Sequence, residues 1–137
     1  MKVFTLKFGQ FIIGAFLLTV VFRYALNLSI SVDSWLLSLL FSVVYFCLMF
    51  LCGWYFGKRD SVENNVYDIG FRYHVATYVL CVGISYVFYY MGWNTESLNS
   101  MTITAISWGV GLLVHFILFL VEQRKTIKGY VKDEIFD

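Results

Sequence analysis

Four long apolar runs, at about residues 4–26, 35–56, 72–91 and 101–121, are separated by short polar segments. The second run, Trp35 to Phe56, carries no charged residue. At about 1.5 Å of rise per residue, runs of this length match the ~30 Å hydrocarbon layer of a bilayer. A backbone in hydrocarbon must satisfy its hydrogen bonds within its own segment, so each run predicts a helix. The apolar–polar alternation of a membrane β-barrel is absent. Short gaps at 27–34 and 92–100 make consecutive helices antiparallel neighbours. The predicted fold class is therefore all-α: an antiparallel four-helix transmembrane bundle, a single membrane domain with a short cytoplasmic tail at 122–137.

Charge orients these spans. Every Lys and Arg except Arg23 lies at the N-terminus (Lys2, Lys7), in the middle (Lys58, Arg59, Arg72) or in the tail (Arg124, Lys125, Lys128, Lys132). The other two gaps hold only Asp33 and Glu96. Cytoplasmic loops collect Lys and Arg, which predicts a multi-pass protein of the inner (cytoplasmic) membrane with both termini in the cytoplasm. The first run has a basic start like a secretory signal, but its length and the lack of a small-x-small cleavage site favour a retained span. Arg23 is expected to snorkel outward along its methylenes, with Asp33 and Glu96 as the carboxylates within reach. Gly57-Lys58-Arg59-Asp60 is expected to stop the second span. Asp60 or Ser61 would then cap a short helix with Val62, Val66, Ile69 and Tyr73 as its apolar stripe, lying on the inner interface or extending the third span.

Composition agrees with a bilayer environment. The chain is 60% hydrophobic, 20% aromatic and 14% charged, too little polar surface to cover a water-facing domain. A net charge of +1 gives no field for nucleic acid, which is excluded as a partner. The expected partners are the lipid bilayer and a second copy (a homo-oligomer) or another membrane protein. The absence of Pro removes proline kinks. Cys47, Cys52 and Cys81 lie within apolar runs without a CxxC or zinc spacing, and read as small buried hydrophobes.

Polar residues within the spans carry the candidate chemistry. His74, Tyr78, Cys81 and Ser85 share one face of the third helix, and Thr104, Trp108, Gly111 and His115 one face of the fourth. Ser107 and Gly111 form a small-xxx-small pair that permits close backbone approach. The expected helix-packing seam is thus Tyr78, Cys81, Ser85, Ser107, Trp108 and Gly111. His74 and His115 both lie toward the cytoplasmic side and are the only cofactor-binding candidates. With no carboxylate beside them, packing outweighs haem or metal ligation, and no cofactor is predicted. No catalytic or metal-ligating set is predicted, because no nucleophile has a base beside it and no phosphate loop or HExxH occurs. The expected function is a non-enzymatic helical interaction or assembly module, a membrane subunit or signalling-associated anchor. The alternatives are a homo-oligomeric pore or channel lined by Thr102, Thr104, Ser107, Ser38 and Ser42, and a haem- or metal-binding protein using His74 and His115.

The stretch from Val66 to Phe119 resembles the bacterial 2TM domain, a pair of antiparallel membrane helices. The resemblance rests on Phe71, His74 and Tyr78 within Gly-Phe-Arg-Tyr-His-Val-Ala-Thr-Tyr, and on Trp108-Gly109-Val110-Gly111-Leu112 followed by His115. It implies a membrane module, alone or fused to signalling domains, with no enzymatic activity. It also implies that His74 and His115 belong together as a pair. The first two helices lie outside it.

Overall fold

The computed structural model describes the backbone of residues 4–64 and 69–129 and the side chains of 4–63 and 70–121. The described chain is all-helical: α1 (Leu6–Ser31), α2 (Trp35–Asn64), α3 (Ile69–Tyr90) and α4 (Leu98–Gly129). Three of these, α1, α2 and α4, are long and apolar enough to cross a membrane. The third predicted span is the exception. α3 is diluted by Arg72, Tyr73, His74, Tyr78, Ser85 and Tyr86.

Position explains that dilution. α3 packs against each of the other three helices, whereas α4 packs on α3 alone among the described elements. The expected four-helix bundle is therefore open along one side. The central helix finds protein partners for its polar groups, while α2 and α4 present apolar residues outward. No residue in the apolar 18-residue window of α2 or of α4 is buried. The compact interior is small, built from Phe8, Phe11, Ala15 and Tyr73, with Ile12, Met49, Phe56 and Leu80 against it. Small residues bring α1 and α2 together. A Cβ on Gly14 would lie 3.4 Å from the Cys52 sulfur, and one on Gly53 would lie 3.9 Å from Phe11. Of the three cysteines only Cys81 is buried; Cys52 is half-buried and Cys47 exposed, against the sequence expectation.

Helix ends differ from the sequence expectation in instructive ways. Thr5 caps α1, its Oγ1 accepting from the Phe8 amide at 3.1 Å. At its other end α1 runs on to Ser31, and the turn to α2 closes with Asp33 at φ 52° and the Ser34 amide donating to the Ser29 carbonyl at 3.0 Å. α2 does not stop at Gly57–Asp60 but continues to Asn64, so Asp60 is a helix-interior residue and not a cap. Val66 lies outside the described residues. α4 begins at Leu98 and its backbone continues into the expected tail as far as Gly129.

Asp60 is fully buried. It accepts from the Arg72 guanidinium and from the Tyr73 hydroxyl, the latter at 3.4 Å. Arg72 also lies over the Phe8 ring, 4.7 Å from its centroid. A carboxylate inside a helix is tolerated here because its cation comes from the next helix across a short connection. Removing one partner of a buried pair leaves the other charge uncompensated, which typically costs about 3–5 kcal/mol. Asp60→Ala is expected to lower stability by that order in a mixed-micelle denaturation series. Lys7→Ala, which breaks the 3.5 Å pair to the half-exposed Glu63, is expected to change it by less than about 1 kcal/mol. Equal effects would show that burial does not set the strength of the Asp60 pair.

Candidate functional site

The loop end of the molecule is held by α1 and the α3–α4 connection. Asn27 donates to the Trp93 carbonyl at 2.7 Å and accepts from the Thr95 amide at 2.9 Å and its hydroxyl at 2.7 Å. One turn earlier, Arg23 reaches Glu96 at 2.5 Å and also donates to the Ser85 hydroxyl. Arg23 is thus an ion-pair residue with only 13% of its side chain exposed, where snorkelling had been the expectation. Asp33 is not its partner.

Behind this clasp lies a cleft of about 200 Å³ whose lining comes from all four helices, including Thr19, Phe22, Arg23, Tyr45, Ser85 and Trp108. It exists because α4 is clasped at one end and packed on α3, yet makes no helix contact with α1 or α2. The hydroxyl hydrogens along it can be assigned by counting donors. Thr19 donates to the Ala15 carbonyl at 2.7 Å, so its 2.9 Å contact with Tyr45 must use the tyrosine hydrogen. Tyr45 in turn accepts from the Cys81 thiol at 2.8 Å. Ser85 donates to the Cys81 carbonyl at 2.5 Å and accepts from Arg23. Thr104 donates to the Ser100 carbonyl at 3.0 Å. Thr102 donates to the Leu98 carbonyl, leaving Tyr86 to donate to Thr102 at 3.2 Å. Sequence reasoning missed Tyr45 and Thr19, because each sits in an apolar run and only the packing of α1, α2 and α3 joins them to Cys81.

The histidines do meet. Their ring centroids are 5.0 Å apart at 74°, an edge-to-face contact. The His115 ring adjoins an aromatic group: Phe71 lies 6.4 Å from His115, 4.9 Å from Phe116 and 5.9 Å from Phe119. Among the described residues no three His, Cys, Asp or Glu side chains gather in one place.

The expected seam divides in two. Tyr78 does face α4: its ring meets Trp108 edge-on at 5.9 Å and its hydroxyl donates to the Ala105 carbonyl at 3.1 Å. Cys81 and Ser85 instead turn toward α1 and α2. Ser107 and Gly111 are exposed, and nothing stands within 4 Å of a Cβ built on Gly111. The close approach is at Gly109, where a Cβ would sit 3.1 Å from the Tyr78 hydroxyl. The helical spacing placed Ser107 and Gly111 on one face, but the long Tyr78 side chain selects Gly109 as the α3–α4 contact. Of the five expected pore-lining residues, Ser38, Ser42, Thr102 and Thr104 donate to carbonyls four residues earlier in their own helices or at their starts, and Ser107 is exposed.

Compared with known proteins, the chain matches no protein-family model, no curated protein and no solved structure. What fold and site define is an all-helical chain with three helices fit to cross a membrane, a clasped arginine cleft and a histidine pair between α3 and α4.

Gly109→Leu forces a branched side chain against the Tyr78 hydroxyl and is expected to cost roughly 1–3 kcal/mol, as overpacking does. Gly111→Leu meets open space and should leave the stability of the detergent-solubilised monomer unchanged or slightly raised. Thermal unfolding of the two variants compares them directly. The reverse ranking would place the seam at Gly111.

Proposed function

We propose that this chain is a multi-pass inner-membrane protein, with both termini cytoplasmic, that works as a non-enzymatic helical assembly module. The observation that carries the reading is α4: its apolar window is wholly unburied and among the described elements it packs on α3 alone. Lipid and protein cover such a face equally well by apolarity, but small residues select a helix partner by letting backbones approach. Ser107 and Gly111 are exposed there, and nothing stands within 4 Å of a Cβ built on Gly111. The partner is a second copy of the chain, and another membrane protein is the alternative occupant. The charge distribution supports the orientation, since the α2–α3 end of the described molecule carries Lys7, Lys58, Arg59 and Arg72, whereas Arg23 at the loop end is offset by Glu96. The resemblance of residues 66–119 to the 2TM domain supports a module of this kind and remains part of the proposal.

The histidine contact favours a second reading, a cofactor held between α3 and α4. The edge-to-face stacking and the surrounding Phe71 cluster support packing ahead of ligation. The purified protein is expected to show no Soret absorbance; a band abolished in His115→Ala would replace the assembly reading with a haem protein.

With Cys47, Cys52 and Cys81 replaced by Ala, single substitutions Ser107→Cys and Gly111→Cys are expected to give disulfide-linked dimers in native membranes. Ala105→Cys and Gly109→Cys, which face α3 and the cleft, should not. Absence of any dimer at 107 or 111, with the protein present in the membrane fraction, overturns the homo-oligomer. Cross-linked species of other masses would identify a different protein as the partner.

A further inference from the structure

We propose that the Arg23 cleft is a lateral binding site for a glycerolipid, which offers Arg23 an ester or phosphodiester oxygen and lays part of one hydrocarbon chain along the cleft. The inference rests on the membrane reading above and goes beyond it by assigning a ligand class.

Hydrogen-bond accounting points to the ligand. Around the cleft the hydroxyl hydrogens of Thr19, Tyr45, Ser85, Tyr86 and Thr104 are all committed to protein acceptors. The Cys81 thiol is committed to Tyr45. Arg23 differs. Its two terminal nitrogens each give one hydrogen bond, to Glu96 and Ser85, and its other N–H groups meet no acceptor among the described residues. They are not sealed off either, since Arg23 lines the cleft. A guanidinium facing a low-dielectric space with unspent donors is costly unless an acceptor arrives. The complementary occupant is therefore acceptor-bearing at the Arg23 end and apolar beyond it.

Shape and charge narrow the class. Phe22, Leu26, Val82, Met101 and Trp108 supply apolar wall. Among the described residues α4 does not contact α1 or α2, so the cleft is open between these helices to an occupant arriving from the bilayer. A volume of about 200 Å³ holds a few methylenes beyond the acceptor, not a whole lipid; the rest of the chain stays in the bilayer. Glu96 offsets the charge of Arg23, so the site asks for an acceptor and does not require a net anion. A zwitterionic and an anionic glycerolipid should therefore bind alike.

The test is native mass spectrometry of the full chain, delipidated in detergent and then incubated with phosphatidylcholine or phosphatidylglycerol of matched chains. One persistent adduct is expected with either lipid. Ala105→Phe, which places a ring in the cleft and keeps both residues of the ion pair, should abolish that adduct while helicity by circular dichroism stays unchanged. Arg23→Gln should weaken retention by about tenfold or more, as expected for loss of a charge-assisted hydrogen bond. If Arg23→Gln fails to fold, the Ala105→Phe result decides alone. Equal retention by wild type and Ala105→Phe, or retention of phosphatidylglycerol only, overturns the proposal. Failure of the membrane reading looks different: the chain would dissolve from vesicles in alkaline carbonate without detergent.

Discussion

A polar group removed from water must find a partner in protein, and α3 is organised around that constraint. Arg72 and Tyr73 meet Asp60 of α2, Cys81 meets Tyr45 of α2, Ser85 meets Arg23 of α1, and Tyr78 meets the Ala105 backbone of α4. These bonds fix the rotation of α3 against all three neighbours, α2 by three of them and α1 and α4 by one each. Taken together they leave it one orientation. Apolar contacts, which tolerate sliding, would not specify that arrangement alone, and in hydrocarbon they supply little drive for helix association. This is also why α3 is the one described helix not apolar enough over its length to cross a membrane: the other three helices meet much of its surface.

The charged groups form two clasps at opposite ends. At one end Asp60 and Arg72 join α2 to α3 across their connection, with the Phe8 ring of α1 beneath the guanidinium. At the other, Arg23 and Asn27 of α1 hold the α3–α4 loop through Glu96, Trp93 and Thr95. The second clasp sets where α4 begins, and the Tyr78, His74 and Phe71 contacts lead it along α3 from there. α1 and α4 are thus close at the loop and part below it. The cleft is the geometric result of two helices tied at one end only.

Much of this was legible in the sequence. Four apolar runs predict four helices, and two short loops their order. Arg23 and Glu96 are the residues that stand out at the loop end, and Glu96 was one of two carboxylates within reach. Other features were illegible for physical reasons. Asp60 follows two cations and looks like the polar edge of a span; its burial depends on Arg72, which the chain brings back only after α2 has ended. Helical spacing assigns residues to a face but does not say which neighbour the face meets, so Tyr78, Cys81 and Ser85 were grouped although they serve different helices. Gly109 and Gly111 are two residues apart and so on nearly opposite faces of α4, but the sequence does not say which of those faces meets α3; the contact of Gly109 with the Tyr78 hydroxyl does. Tyr45 and Thr19 left no signal at all, because a single hydroxyl within an apolar run becomes informative only when a second one lies opposite it.

The distribution of polar groups also weighs on how such a protein acts. Two ion-paired clusters stand apart: Lys7, Glu63, Asp60, Arg72 and Tyr73 in one, and Thr19, Tyr45, Cys81, Ser85, Arg23 and Glu96 in the other. Between them on α1 lie Phe11 and Ala15, both buried. An ion crossing one chain would have to lose its hydration in that layer, where an aromatic ring and a methyl group offer no carbonyl or carboxylate in exchange. A pore between copies needs hydroxyls that turn toward water, yet Ser38, Ser42, Thr102 and Thr104 spend their hydrogens on backbone carbonyls, as hydroxyls in an apolar medium do. Interrupted polarity of this kind suits a part that holds a defined shape in a membrane and presents a face to another helix. It suits a conductor poorly.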